Sequence, residues 1–131
     1  MGFNAIVTPE DLKRGDLLKP GWYPASFYEY NEKEAGTDKS TNIILTFRVE
    51  DGRNDGVRPS SLFNEKALGF GKNCWLALGI PYDSEKGFAL NDGVIRDKIG
   101  TKLQIYVERG KSEKTGNEFN KIADYKPLSA K

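Results

Sequence analysis

The chain of 131 residues contains no histidine and a single cysteine, Cys74. Histidine is the commonest general base and a frequent zinc ligand, so its absence excludes Ser-His-Asp and Cys-His catalysis and most zinc sites. One cysteine forms neither an internal disulfide nor a Cys-x-x-Cys pair, which is consistent with a reducing cytoplasm. Because Cys74 stands beside Trp75 in an apolar run, we expect it to be buried as a small hydrophobic residue.

Long apolar runs and phosphate-binding glycine loops are also missing. No run approaches the ~20 residues of a membrane span, and the first residues lack the pattern of a secretory signal. The segment Gly69-Phe70-Gly71-Lys72 lacks the spacing that cradles phosphates, so we interpret it as a bend. Most carboxylates fall in predicted loops or on solvent faces. We therefore expect a cytoplasmic protein that is not an enzyme, with no metal, cofactor, small-molecule substrate or membrane contact.

Neither sign of charge predominates, since the formal net charge is only +1. A protein whose whole surface grips nucleic acid would be more basic. The distribution is uneven, however, because residues 101–131 hold seven Lys or Arg against four Asp or Glu. The sequence therefore allows a local basic surface near its C-terminal end, provided that folding does not scatter these charges.

Alternating apolar and polar residues predict strands over much of the chain. In the first strand, Tyr23, Ala25 and Phe27 share the inner face, so Tyr28 and Tyr30 are predicted to point outward. A helical pattern follows the third strand, with a break near two glycines, and an irregular segment follows it. The predicted strands cover 21–34, 41–50, 57–63, 100–110 and 118–128, the helix covers 64–79, and the irregular segment covers 80–99.

The first twenty residues are predicted to form an N-terminal arm. Within it, Thr8-Pro9-Glu10-Asp11 has the features of a short helix start: a capping threonine, a proline at the first position and acids near the positive end of the dipole. Residues 21–128 then form a single domain. Five strands with one helix between the third and fourth is the organisation of the OB barrel, whose strand 2–3 face binds oligonucleotides or oligosaccharides. Another small β-barrel or sandwich with one helix is the alternative.

The spacing Gly21-x-Tyr23-x-Ala25-x-Phe27 and the following strand TNIILTFRVEDG resemble the opening of small phage-encoded single-stranded-DNA-binding proteins of the OB type. The resemblance continues to about residue 127, with Gly-x-x-Leu-x-Ile-x-Val from Gly100 and Gly-Asn-x-x-Asn-x-Ile from Gly116. It implies sequence-nonspecific binding and protection of single-stranded DNA in phage-type replication or recombination, in the host cytoplasm. Such families often end in an acidic tail that recruits enzymes, whereas this chain ends KPLSAK, so we do not expect tail-mediated recruitment.

Binding of single-stranded nucleic acid requires basic side chains near aromatic rings on which bases stack. We therefore select aromatics that alternation places outside the barrel, together with the Lys and Arg residues near them. The last hairpin, with Phe119 beside three lysines, is predicted to act as a clamp. The candidates are Tyr28, Tyr30, Lys33, Lys39, Arg48, Arg58, Tyr106, Arg109, Lys111, Lys114, Phe119 and Lys121.

Each candidate also has a structural interpretation. Tyr28 and Tyr30 could cover the barrel beneath the arm, Trp22 is expected to be a plug or an arm contact, and the basic turn could be a solvated hairpin. The same barrel could therefore be a protein-interaction or structural module without nucleic-acid binding, which the near-neutral charge favours. An oligosaccharide-binding barrel is a third hypothesis, and a homo-oligomer through an edge strand or the arm is left open.

Overall fold

The computed structural model describes residues 2, 4–7, 12, 15–36 and 39–128, and its described part is mainly β. The strands are β1 (Gly21–Glu34), β2 (Thr41–Val49), β3 (Ser60–Asn64), β4 (Lys102–Lys111) and β5 (Glu118–Pro127). A 3₁₀ segment (Glu65–Gly71) runs into helix α1 (Lys72–Ala77), and helix α2 (Asp92–Arg96) comes later. The prediction of five strands with a helix between the third and fourth is confirmed.

The strands form one antiparallel sheet in the order β3-β2-β1-β4-β5. The sheet curls so that its two edge strands face each other: the hydroxyls of Ser61 and Tyr125 share a hydrogen bond, and the rings of Phe63 and Tyr125 lie 6.5 Å apart. No backbone ladder joins β3 to β5 within the described ranges. The sheet is therefore open, with a side-chain seam in place of the closed barrel expected from the sequence.

The core lies inside the curl, and α1 closes one end of it. Ala25 and Phe27 are buried as predicted, and Tyr23 packs against them. The indole of Trp75 is fully buried and donates a hydrogen bond of 2.8 Å to the carbonyl of Leu68. Cys74 is buried beside it, as expected, and this burial raises the pKa of its thiol.

The inner face of β1 changes at a β-bulge. In the β1–β2 ladder Phe27 pairs with Phe47, but the next partner of Thr46 is Glu29, so Tyr28 is an extra residue. One extra residue reverses the alternation of everything that follows it. The prediction that Tyr30 points outward is therefore wrong: its side chain is 8% exposed and belongs to the core.

The third strand begins later than predicted, at Ser60 instead of residue 57. The preceding segment still runs beside β2, since the carbonyls of Val57 and Pro59 accept hydrogen bonds of 2.9 Å from Val49 and Phe47. Proline has no N–H to donate, so regular pairing starts only after Pro59.

The described end of the arm is fastened to β5. The N–H of Leu18 donates to Oδ1 of Asn120 at 2.9 Å, and the amide of Asn120 donates to the carbonyl of Asp16 at 2.7 Å. Leu18 itself is buried in the core. The predicted helix start at Thr8-Pro9-Glu10-Asp11 lies outside the described residues.

Helix α2 was not predicted, because residues 80–99 carry no apolar periodicity over a helical length. Its first turn is capped by Asn91, whose side chain accepts a hydrogen bond of 2.9 Å from the N–H of Val94. Ile95 then anchors the helix in the core. In the described part of the chain, no helix is long and apolar enough to cross a membrane.

Candidate nucleic-acid interface

The outer face of β2 and β3 is polar at one end and apolar in its middle. Ile44 pairs with Leu62 across the ladder, and Thr46 pairs with Ser60. The hydroxyls of Thr46 and Ser60 lie 2.8 Å apart in a hydrogen bond. Leu62 is 59% exposed, because its neighbours on β3 turn toward the core and leave it on the solvent side. This leucine places an exposed apolar side chain on the outer face of the edge strand β3.

A groove runs along the seam between β3 and β5. One part, of about 270 Å³, lies between the Ser60–Phe63 side of β3 and the Phe119, Lys121 and Ile122 side of β5. An adjoining part of about 290 Å³ shares Ser60 and Phe119 and extends to Arg58 and Gly15. The two parts are neighbours, since Ser60 and Phe119 line both. We call this feature the seam groove and define it by Arg58, Ser60, Leu62, Phe119 and Lys121.

Arginine and tyrosine meet at one end of the seam groove. The guanidinium carbon of Arg58 lies 4.5 Å from the ring centroid of Tyr28. Tyr28 is 41% exposed because the bulge leaves it outside the ladder. Arg48 stands on the neighbouring strand and forms an ion pair of 3.4 Å with Glu50. The guanidinium is itself planar, and its fork of N–H groups is suited to phosphate oxygens.

Phe119 provides the exposed aromatic ring of the groove. It is 47% exposed and pairs with Gly110 across the β4–β5 ladder. Its ring lies so close to Gly110 that a Cβ there would be 2.5 Å from the ring. The missing Cβ thus lets the end of the ring lie against the β4 backbone, while about half of the side chain stays exposed to solvent. A base can stack on such a ring.

Basic side chains lie on both faces of the last hairpin, and Lys121 shares the face of Phe119. Lys121 lies 3.8 Å from Glu108, and Arg109 lies 3.3 Å from Glu118. Exposed ion pairs of this kind contribute only about 0–1 kcal/mol, so a phosphate can compete for either cation. Lys111 and Lys114 are exposed at and beyond the end of β4, but Arg109 and Lys111 alternate with Gly110 and so lie on the face of the hairpin opposite Phe119.

The part of the seam groove that lies between β3 and β5 is lined by no acidic side chain. Tyr125 lines it from the core side, and burial raises the pKa of its hydroxyl. The hydroxyl is therefore neutral at physiological pH and remains hydrogen-bonded to Ser61. This part of the groove places no negative charge beneath a bound phosphate chain, whereas the adjoining part is lined by Glu118, whose carboxylate pairs with Arg109.

Several predicted residues lie away from the seam groove. Tyr106 packs against Trp22 on the surface formed by β1, β4 and β5. Tyr30 is buried, with the guanidinium of Arg96 4.9 Å from its ring and its hydroxyl donating to Glu32. Burial, followed by that hydrogen bond, raises the pKa of Tyr30. These two tyrosines do not contribute to the groove.

The lysines of the first hairpin lie at the other end of the outer face. Lys33 pairs with Asn42, which pairs in turn with Asn64 at the end of β3. Lys39 is in the loop that follows β1, in the left-handed backbone region with φ of 59°. Both side chains are exposed. They are separated from Arg58 by the length of β3.

Sequence reasoning missed Leu62, Ser60 and Gly110. The segment Ser60-Ser61-Leu62-Phe63 does alternate, and placing Phe63 inside would have put Leu62 outside. No local signal shows that Gly110 lies under Phe119, since the two are brought together only by the register of the hairpin.

The described residues contain no group of three or more His, Cys, Asp or Glu residues able to hold a metal ion. No protein-family model matches the chain, and no curated protein is significantly similar to it. The interface is therefore interpreted from its own geometry.

Proposed function

We propose that this protein binds single-stranded DNA without sequence specificity, in the seam groove. The observation that carries the proposal is an exposed aromatic ring, Phe119, that lines both parts of the seam groove, one of which is also lined by Lys121 and the other by Arg58. Stacking on an aromatic ring contributes roughly 1–3 kcal/mol per base and tolerates every base. The lysine and the arginine then neutralise phosphates on either side of the stacked base.

The proposed architecture is an OB-type sheet whose closure is made by side chains. Its support is the strand order β3-β2-β1-β4-β5, the helix between β3 and β4, and the contacts of Ser61 and Phe63 with Tyr125 across the seam. OB domains bind oligonucleotides on the strand 2–3 face and through the loops that follow strands 1 and 4. Here those loops carry Lys39 and Lys114.

The proposed biological role is the coating and protection of DNA strands in phage-type replication or recombination. This role rests on the resemblance of the β1–β2 and β4–β5 segments to phage single-stranded-DNA-binding proteins. It requires no chemical step, only reversible binding.

A second candidate function is protein interaction through the same sheet. It is favoured by the net charge of +1 and by the exposed apolar side chain of Leu62 on β3, at 59% exposure. A protein ligand would bury this apolar group and would depend little on salt, whereas DNA binding weakens steeply as salt rises.

Fluorescence anisotropy of labelled oligo(dT) at low and high salt tests the proposal and separates the two candidates. We expect binding at micromolar protein in low salt, with affinity falling as salt increases. A labelled duplex of the same length is the control, and it should bind more weakly because its bases are not free to stack on Phe119. Absence of oligo(dT) binding in low salt would refute the proposal and leave the protein-interaction candidate.

A further inference from the structure

A second aromatic and basic cluster lies on the surface formed by β1, β4 and β5. Trp22 and Tyr106 are cross-strand partners whose ring centroids are 5.4 Å apart in an edge-to-face arrangement. The ammonium of Lys126 lies 4.4 Å from the centroid of the Trp22 ring. We call these three residues the outer platform.

The position of Trp22 does not arise from core packing. Its neighbour Tyr23 packs against the core, so alternation along β1 turns Trp22 outward. The ring is 38% exposed, although it is the largest side chain on this face. Tyr106 supports its position from the adjacent strand, and the Lys126 ammonium lies over the ring.

A second β-bulge connects the outer platform to the seam groove. The register of the β4–β5 ladder shifts between Tyr106 and Val107, and Ala123 is the extra residue. Lys121 therefore pairs with Glu108, and Lys126 pairs with Gln104. Glu108 and Gln104 alternate with the core residues of β4 and so lie on its outer face. Without the bulge, the two lysines would point to opposite faces of β5. With it, both lie on the outer face, about 13 Å apart along β4.

We propose that the outer platform is a second contact for single-stranded DNA, reached by a strand that leaves the seam groove across β5. This inference rests on the proposed function of the groove. A base stacks on Trp22 and displaces the Lys126 ammonium, which moves to an adjoining phosphate. The exchange is favourable because base stacking is stronger than an exposed cation–π contact, and the lysine gains a phosphate partner.

The tryptophan content of the chain provides a direct readout. The chain has two tryptophans, and Trp75 is fully buried whereas Trp22 is exposed. DNA that stacks on the outer platform should therefore quench the fluorescence of Trp22. Oligo(dT) of about 4 nucleotides is long enough for the groove alone, and oligo(dT) of about 16 nucleotides is long enough for both contacts. We expect the long oligonucleotide to quench and the short one to leave the emission nearly unchanged.

Affinities of the two labelled oligonucleotides for variants complete the test. We expect Trp22→Ala to weaken binding of the long oligonucleotide about tenfold and to leave the short one unchanged. Trp22→Phe keeps a ring for stacking and should retain most of the affinity. Lys126→Gln leaves Trp22 in place, so it tests the platform even if Trp22→Ala fails to fold. It should weaken the binding of the long oligonucleotide but not of the short one, and it should reduce the salt dependence of that binding.

The outcomes distinguish this inference from the proposed function. If the short oligonucleotide binds but the long one neither quenches Trp22 nor responds to Trp22→Ala and Lys126→Gln, the outer platform is refuted and the groove stands. If neither oligonucleotide binds the wild-type protein, the proposed function fails and the inference fails with it. Quenching by a neutral oligosaccharide, with none by oligo(dT), would also overturn the inference.

Discussion

The ring of Phe119 lies against the backbone of Gly110, its cross-strand partner in the β4–β5 ladder. A Cβ at Gly110 would come within 2.5 Å of the ring, whereas non-bonded carbon atoms pack at about 3.5–4.0 Å. Gly110→Ala must therefore push the ring away from β4. We expect oligo(dT) affinity to fall toward that of Phe119→Ala, as measured by anisotropy.

A double-mutant cycle shows whether Gly110 acts through Phe119. In the Phe119→Ala background, Gly110→Ala should have little further effect, because the ring that it displaces is gone. Gly69→Ala is the matched control, since a Cβ there meets nothing within 4 Å. Additive losses of oligo(dT) affinity from Gly110→Ala and Phe119→Ala would contradict the role of Gly110 in positioning the Phe119 ring.

Phe119→Ala itself should remove one stacking platform. We expect a loss of roughly 1–3 kcal/mol in binding of oligo(dT) and little change in the folded state, because the ring is already half-exposed. Phe70→Ala is the control: Phe70 is 90% exposed but lies outside the seam groove. Equal losses for the two variants would show that exposed phenylalanines bind DNA without regard to the groove.

The salt dependence of binding should identify the cations that contact phosphates. For single strands, the slope of log affinity against log salt changes by about 0.7 per phosphate contact. Arg58→Gln and Lys121→Gln should each reduce the slope by about that amount. Arg96→Gln makes the same charge change beside the buried Tyr30, away from the groove, and should leave the slope unchanged.

Strand positions and much of the core could be predicted from the sequence because alternation is a local property. The faces of Ala25 and Phe27 follow directly from it, as does the burial of Cys74 in an apolar run. The exposed position of Phe119 could also be predicted, since it follows a polar turn. These features depend on near neighbours in the chain.

The rest depends on contacts between distant parts of the chain. The bulge at Tyr28 turns Tyr30 inward, and nothing in the local sequence distinguishes it from regular alternation. The seam depends on Ser61 meeting Tyr125, and the fastening of the arm depends on Leu18 meeting Asn120. Tyr106 alternates outward as predicted, but only the strand order shows that it lies beside Trp22 and not in the groove.

The seam should also respond to alkaline pH through Tyr125. Burial raises the pKa of this hydroxyl in the folded protein, whereas the unfolded value is about 10. The contribution of Tyr125 to the free energy of unfolding is therefore fully present below pH 10. It is lost as the pH rises above 10, at up to about 1.4 kcal/mol per pH unit.

Tyr125→Phe removes this titration together with the hydrogen bond to Ser61. At neutral pH we expect the variant to be less stable by about 1 kcal/mol in urea unfolding. Above pH 10 the difference in stability between the wild type and Tyr125→Phe should narrow, because only the wild type has the Tyr125 hydroxyl whose contribution is lost. Ser61→Ala loses the same hydrogen bond but keeps the tyrosine. Its stability should therefore fall with rising pH in parallel with that of the wild type. A stability difference between the wild type and Tyr125→Phe that stays constant above pH 10 would contradict the role of Tyr125 in this pH dependence.

Photo-cross-linking of a bromodeoxyuridine-substituted single strand at low salt, followed by peptide mapping, tests the central claim most directly. A base stacked on the exposed ring of the seam groove should cross-link to Phe119, and excess unlabelled oligo(dT) should suppress the product. Absence of a cross-link, or cross-links confined to exposed rings outside the groove such as Phe70, would contradict binding in the seam groove.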